Sequence, residues 1–188
     1  MSRLPLRSLN DAPTEAKDLL AAAEARNGFL PNLLRVLANA PTALETYLTV
    51  SGINARGSLS LAEREAVQIT AAAEHGCGFC VAGHTAIVTK AGLDPAIIAA
   101  LRERGHVPDA RLEAVARFTR AVIASRGRVE DADLANFRAA GFDDKAALEV
   151  VLGVSLATLC NFANNLGAPP LNPQLEPFRW DAPRESAA

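Results

Sequence analysis

Apolar residues recur along most of the chain at spacings of three and four, with no sustained period-two alternation, so the pattern predicts helices and no sheet. Thr14 to Arg26 carries Leu19, Leu20 and Ala23 on one side and stops at Asn27-Gly28. A turn at Phe29-Leu30-Pro31-Asn32 leads into a short helix from Leu33 to Ala38. Pro41 opens the next, with Leu44, Tyr47, Leu48 and Ser51 on one face, ending near Arg56-Gly57. Ser60-Leu61-Ala62-Glu63 fits a capping box, in which hydroxyl and carboxylate satisfy each other's free backbone donors, and predicts a helix to about Glu74. His75-Gly76 interrupts it, and a helix starting at Cys77-Gly78 runs to Ala91-Gly92. Asp94-Pro95 and Pro108-Asp109 open two more, to Arg104 and to Arg126-Gly127, and Glu130 to Ala140 makes a short one. Asp144 to Asn165 is apolar nearly all round and is expected to be the central buried helix.

The two ends lack this periodicity. Ser2 to Pro13 reads as an extended arm that gains order only by lying on something. After Gly167 the run Ala168-Pro169-Pro170-Leu171-Asn172-Pro173 cannot be helical and is free to cross to a neighbouring subunit. The expectation is one all-α domain over residues 1–188, a bundle of eight to nine helices with an arm at 1–13 and a proline-rich tail at 168–188.

Composition sharpens this in three ways. Hydrophobic residues make up 49% but aromatics only 5%, so Ala, Leu and Val supply the core, which suits closely packed helices better than a sandwich of sheets. The 19 basic and 21 acidic residues are spread evenly, leaving no basic stripe for phosphates, and nucleic acid is not expected as a partner. The N-terminus lacks an apolar signal region, and the run Val150 to Cys160 is shorter than the ~20 residues a bilayer needs, so the reading is cytoplasmic with no membrane partner.

The chemistry concentrates between Glu74 and His84, where two of three cysteines and two of three histidines fall within eleven residues. On one helix Cys77, Cys80 and His84 form a single stripe. Such a stripe is a redox arrangement or a metal site. A free thiol with pKa ~8.5 is mostly protonated at neutral pH. Here the helix N-terminus can favour a Cys77 thiolate, and His84 can reach the Cys80 sulfur as a base. If the flanking helices pack antiparallel, Glu63 or Glu65 can orient the imidazole. An odd cysteine count suits a reducing compartment with one functional pair, and Cys160 is then a spare, read as a small buried hydrophobe.

Other readings of the stripe remain. Zinc could take Cys77, Cys80 and His84, but needs a fourth ligand such as His75 or a carboxylate. Haem attachment needs histidine where Val81 stands, and a thioredoxin-type site needs a strand where Ala66 to Glu74 reads as helix. Purely structural cysteines would bury an imidazole with them, at a cost unless it is satisfied.

Ser60-Leu61-Ala62-Glu63-Arg64-Glu65 followed by Cys77-Gly78-Phe79-Cys80 and His84 resembles the AhpD-like alkylhydroperoxidase branch of the carboxymuconolactone decarboxylase family. The shared pattern is a glutamate twelve residues before a CxxC and a histidine four after it. The resemblance is closest from Pro31 to Gly92 and weaker over the helix ending Asn161-Phe162-Ala163-Asn164-Asn165-Leu166-Gly167. It implies an AhpD-like all-α fold and a homo-oligomer, a trimer or hexamer. It further implies a peroxidase that takes a small organic hydroperoxide or hydrogen peroxide and an external dithiol reductant, without metal or bound cofactor. By matching positions it makes Cys80 the peroxidatic thiol, Cys77 the resolving one, His84 the base and Glu65 the start of the proton relay, with Glu63 pointing elsewhere. The family's well-known members carry histidine where this chain has Phe79, and His75 is either its substitute or a solvated turn residue. The family's decarboxylases do not depend on a CxxC pair, so that lyase activity is the alternative on the same fold.

Overall fold

Nine α-helices and a short 3₁₀ helix build the chain in a computed structural model that describes residues 2–182. They are α1 (Thr14–Asn27), α2 (Asn32–Leu37), α3 (Pro41–Asn54), α4 (Leu61–Glu74), α5 (Gly78–Lys90), α6 (Pro95–Arg102), α7 (Ala110–Ser125), α8 (Asp131–Ala139) and α9 (Asp144–Gly167), with the 3₁₀ helix at Pro173–Phe178. The all-α expectation holds among the described residues, and most predicted ends fall within two residues of the observed ones. The reason is local chemistry. Ser60 accepts from Glu63 N while the Glu63 carboxylate accepts from Ser60 N, the predicted capping box. Asp94, Asp109 and Asp143 cap α6, α7 and α9 one-sidedly, each carboxylate accepting from a first-turn backbone N–H.

The centre of the bundle is α4, a correction to the expectation for α9. From Glu65 to Ala73 every residue of α4 is buried, and α5, α6, α7 and α9 pack around it. Helix α9 is long and apolar enough to cross a membrane by length and composition, more so than the run Val150 to Cys160 suggested. It nevertheless buries Val150, Gly153, Leu156, Ala157 and Cys160 in the bundle. Its other side stays open, with Leu148 71%, Phe162 55% and Leu166 57% exposed. Gly153 sets the α4–α9 distance: a Cβ there would stand 2.8 Å from Val67 Cγ1, and the Gly153 carbonyl accepts from Gln68 Nε2 at 2.9 Å.

Two apolar clusters share α4. One joins it to α6, α7, α8 and the first half of α9, and contains a stack of Phe118, Phe137 and Phe142 with ring centroids 4.3 and 4.4 Å apart. The other joins the last turn of α4 to α1, α2, α3, the start of α5 and the end of α9, and contains all three cysteines.

The ends fold back on the same chain. Arg3 N donates to Gly167 O, and Arg35 donates to the carbonyls of Leu6 and Arg7, so the arm lies on α2 and the end of α9 as expected. The tail, through residue 182, packs along its own chain. Asn32 and Asn172 tie it to the start of α2, and Arg102 holds the carbonyls of Phe178 and Arg179. Trp180 then lies over the start of α5, where Gly78 is required because a Cβ would stand 2.5 Å from the Trp180 carbonyl.

Candidate active site

Helix α4 stops at His75, and Gly76, at φ +63°, turns the chain so that α5 runs back along α4. The consequence is the contact the sequence anticipated: Glu65 Oε2 lies 2.7 Å from His84 Nδ1. Both groups are mostly shielded, Glu65 being 8% exposed. Glu63 is not in this pair. Its carboxylate accepts from Ser60 N and from Arg111 Nε at 2.9 Å, so it holds the start of α4 to α7.

Cys77 is the N-cap of α5 and Cys80 sits in its first turn, both buried and unbridged. Sequence reasoning set Cys160 aside, but α9 brings its sulfur to 3.9 Å from Cys80 Sγ, and the three thiols form one cluster. One turn further along α9, Asn164 Nδ2 donates to Cys80 Sγ at 3.2 Å. The signal for both was present, because Cys160 and Asn164 are four apart and share a helix face. Tyr47, from α3, packs half-buried on the same cluster. Three polar atoms beside this region, both amide atoms of Asn161 and Oδ1 of Asn164, are buried without a hydrogen-bond partner.

Charge is shared unequally in the cluster. Hydrogen bonds to Cys160 and Cys77, together with burial, push the Cys80 thiol well above the ordinary range. Cys77 is held below it by the Cys80 side chain, which with the Cys80 backbone N–H, His84 and Asn164 outweighs burial. Cys160 is likewise lowered, chiefly by its bond to Cys80. Burial acts against a charged His84, but the Glu65 carboxylate outweighs it, aided by Cys160 and Cys77, and the imidazole is more basic than usual. Burial, Cys160 and Cys80 all push the Tyr47 hydroxyl upward. The arrangement therefore favours a proton on His84 and a negative charge among the thiols.

Among the described residues no hydrogen bond joins the His84 ring to a thiol, so its effect on them acts through charge, not the direct contact expected with Cys80. Nor, among the described residues, does a hydrogen bond join the His75 side chain to a thiol. Its ring packs edge-on against Phe162, 5.0 Å between centroids, and burial holds it below its usual pKa. Phe79 packs on the apolar cluster. Among the described residues no group of three or more His, Cys, Asp or Glu is placed to hold a metal ion. A surface cleft of about 340 Å³ is lined by Glu63, Arg111, Arg138 and Phe142 among others and by no thiol.

A helical bundle with a buried thiol cluster beside a carboxylate–imidazole pair is the class that fold and site define. Residues 40–124 match the model of the carboxymuconolactone decarboxylase family, and the AhpD-like resemblance read from the sequence stands. The matched segment spans α3 to α7 and leaves α9 outside. Solved structures share the fold over almost the whole chain. The alkylhydroperoxidase AhpD core, a peroxidase-related protein of Ralstonia eutropha JMP134, has a TM-score of 0.82 at 23% identity, covering 93% of this chain and 94% of that one. A peroxidase-related protein of Silicibacter sp. TM1040 has a TM-score of 0.79 at 22% identity, covering 94% of each. A debrominase variant in complex with 2,3,4-tribromopyrrole has a TM-score of 0.76 at 15% identity, covering 93% and 94%. No curated protein matches the sequence.

Proposed function

We propose that this chain is a thiol peroxidase and disulfide reductase of the AhpD-like type, acting in the cytoplasm on a small organic hydroperoxide or hydrogen peroxide. The observation that carries the reading is the Glu65–His84 pair at 2.7 Å, set beside buried thiols whose charge it favours. Glu65 keeps His84 protonated, and the imidazolium stabilises a thiolate in the cluster. Cys80 is the attacking sulfur. It shares its proton with Cys77 and Cys160, so one proton shift to a flanking sulfur moves the charge onto Cys80, where the Asn164 N–H meets it. The thiolate attacks the distal peroxide oxygen; the O–O bond breaks, Cys80 becomes a sulfenic acid, and the leaving alkoxide takes the His84 proton. Cys77 attacks the sulfenic sulfur, water leaves, and a Cys77–Cys80 disulfide forms. An external dithiol returns the pair to its thiols. No metal or bound cofactor enters any step.

Assembly as a trimer or hexamer fits the open side of α9, where Leu148, Phe162 and Leu166 are exposed. The lyase reading is weaker. The family's decarboxylases do not depend on a CxxC pair, so the presence of Cys77 and Cys80 weighs against that activity.

The test is a thiol count on reduced protein before and after one equivalent of cumene hydroperoxide, with peptides mapped by mass spectrometry. Two thiols should vanish in the wild type, and Cys80→Ser should consume no peroxide. No loss of thiols would overturn the reading, and sulfenic acid forming first on Cys77 would reverse the two roles.

A further inference from the structure

Cys160 lies on a different helix from the CxxC pair, 80 residues beyond Cys80, and the proposed cycle leaves it without a task. Its sulfur is nevertheless 3.9 Å from Cys80 Sγ, in the same dry cluster, 1% exposed. Asn164, one turn away on the same helix, bonds the same Cys80 sulfur. Helix α9 thus presents two groups to Cys80, one able to donate a hydrogen bond and one able to form a covalent bond.

We infer that Cys160 is a second resolving thiol, so that the Cys80 sulfenic acid closes either along α5 onto Cys77 or across to α9 onto Cys160. The inference rests on the peroxidase reading. Cys80 has a thiol neighbour on each side, and its oxidised sulfur is in reach of both. In the step across, the Cys160 sulfur attacks the Cys80 sulfur, the S–O bond breaks, an S–S bond forms, and the hydroxide leaves as water with the Cys160 proton. A disulfide needs ~2.05 Å between sulfurs, so the two must approach by roughly 2 Å from their reduced separation, within the reach of side-chain rotation. The same external dithiol that reduces the Cys77–Cys80 bond supplies two electrons and two protons to reduce this one. A burst of peroxide then meets a sulfenic acid with two exits before a second oxidation. The lowered Cys160 thiol is consistent with its acting as nucleophile.

The experiment uses full-length Cys77→Ser, in which serine replaces an N-cap residue that serine suits. One equivalent of cumene hydroperoxide should remove both remaining thiols and give a Cys80–Cys160 peptide pair by mass spectrometry, with no dimedone adduct. A dimedone adduct on Cys80 with Cys160 still free overturns the inference while leaving the peroxidase reading intact. A wild type that loses no thiol overturns both. Cys77→Ser combined with Cys160→Ser should accumulate the dimedone adduct. If Cys77→Ser fails to fold, peptide mapping of oxidised wild type decides: a Cys80–Cys160 pair beside the Cys77–Cys80 pair supports the second exit, and its absence overturns it.

Discussion

The two apolar clusters that share α4 are built from the same kind of residue and differ in what they bury with it. The cluster of α6, α7 and α8 holds Phe118, Phe137 and Phe142 in a stack, with the Arg111 guanidinium 4.0 Å over the Phe142 ring and its charge met by Glu63. The cluster of α1, α2, α3 and α5 holds three thiols, and beside it lie Asn161, Asn164 and His75 with buried atoms that no partner satisfies. Folding gains little from an unpaired buried polar atom, each leaving ~1–3 kcal/mol of desolvation unrecovered. Most of these unpartnered atoms gather at the thiol end, with Arg120 Nη1 on α7 the exception at the other, so the candidate chemistry sits where packing recovers least.

Phe137→Ala breaks the comparison hardest. The ring is fully buried in the middle of the stack, and removing it leaves a cavity between Phe118 and Phe142. Loss of about 3–5 kcal/mol is expected by urea unfolding. The rate of peroxide-driven thiol loss per folded molecule should not change. A fall in that rate of tenfold or more would mean that the two ends are not separable.

Glu65→Gln acts in the opposite sense. Without its carboxylate His84 loses what makes it basic, and the rate of thiol oxidation is expected to fall on the order of 10²-fold. The pH dependence has a definite sign. A His84 pKa raised on folding contributes stability that is fully present below the unfolded value of ~6.5 and is lost as pH rises through the raised native value. The stability advantage of wild type over Glu65→Gln should therefore shrink as pH rises from about 6 through that window, and the His84 ring titration, followed by NMR, should move down in the variant. An unmoved titration would remove Glu65 from the site.

The fold was legible because its signals are local. Ser60 and Glu63 close a capping box, Asp94 and Asp109 cap before their helices, and Gly28 and Gly92 take positive φ at helix ends. The Glu65–His84 pair was legible in part: antiparallel packing of the two helices left Glu63 or Glu65 to face His84, and the family resemblance chose Glu65. What failed needed long-range information. Which side of α9 is buried depends on Gly153 letting α4 approach, a choice that apolar content around the whole helix conceals. Cys160 looked redundant because the residue it meets is 80 positions away. His75 lies beside the cysteines in sequence, yet Gly76 turns between them and its ring packs on Phe162.

The smallest test sits on the helix common to both clusters. Ser60→Ala removes the hydroxyl that accepts from Glu63 N at 3.3 Å, while the Glu63 carboxylate keeps its bonds to residue 60's backbone and to Arg111. Half of the box survives, so the expected loss is about 0.5–1 kcal/mol, the lower part of the range for a lost N-cap. Glu65 is two residues further along and is held independently by His84, so fraying at the start of α4 should not carry it away. The peroxide reaction should run at the wild-type rate while the urea midpoint falls. If the rate falls with the midpoint, the cap positions Glu65 as well as starting the helix, and the boundary between the stabilising and reactive ends lies inside the first turn of α4.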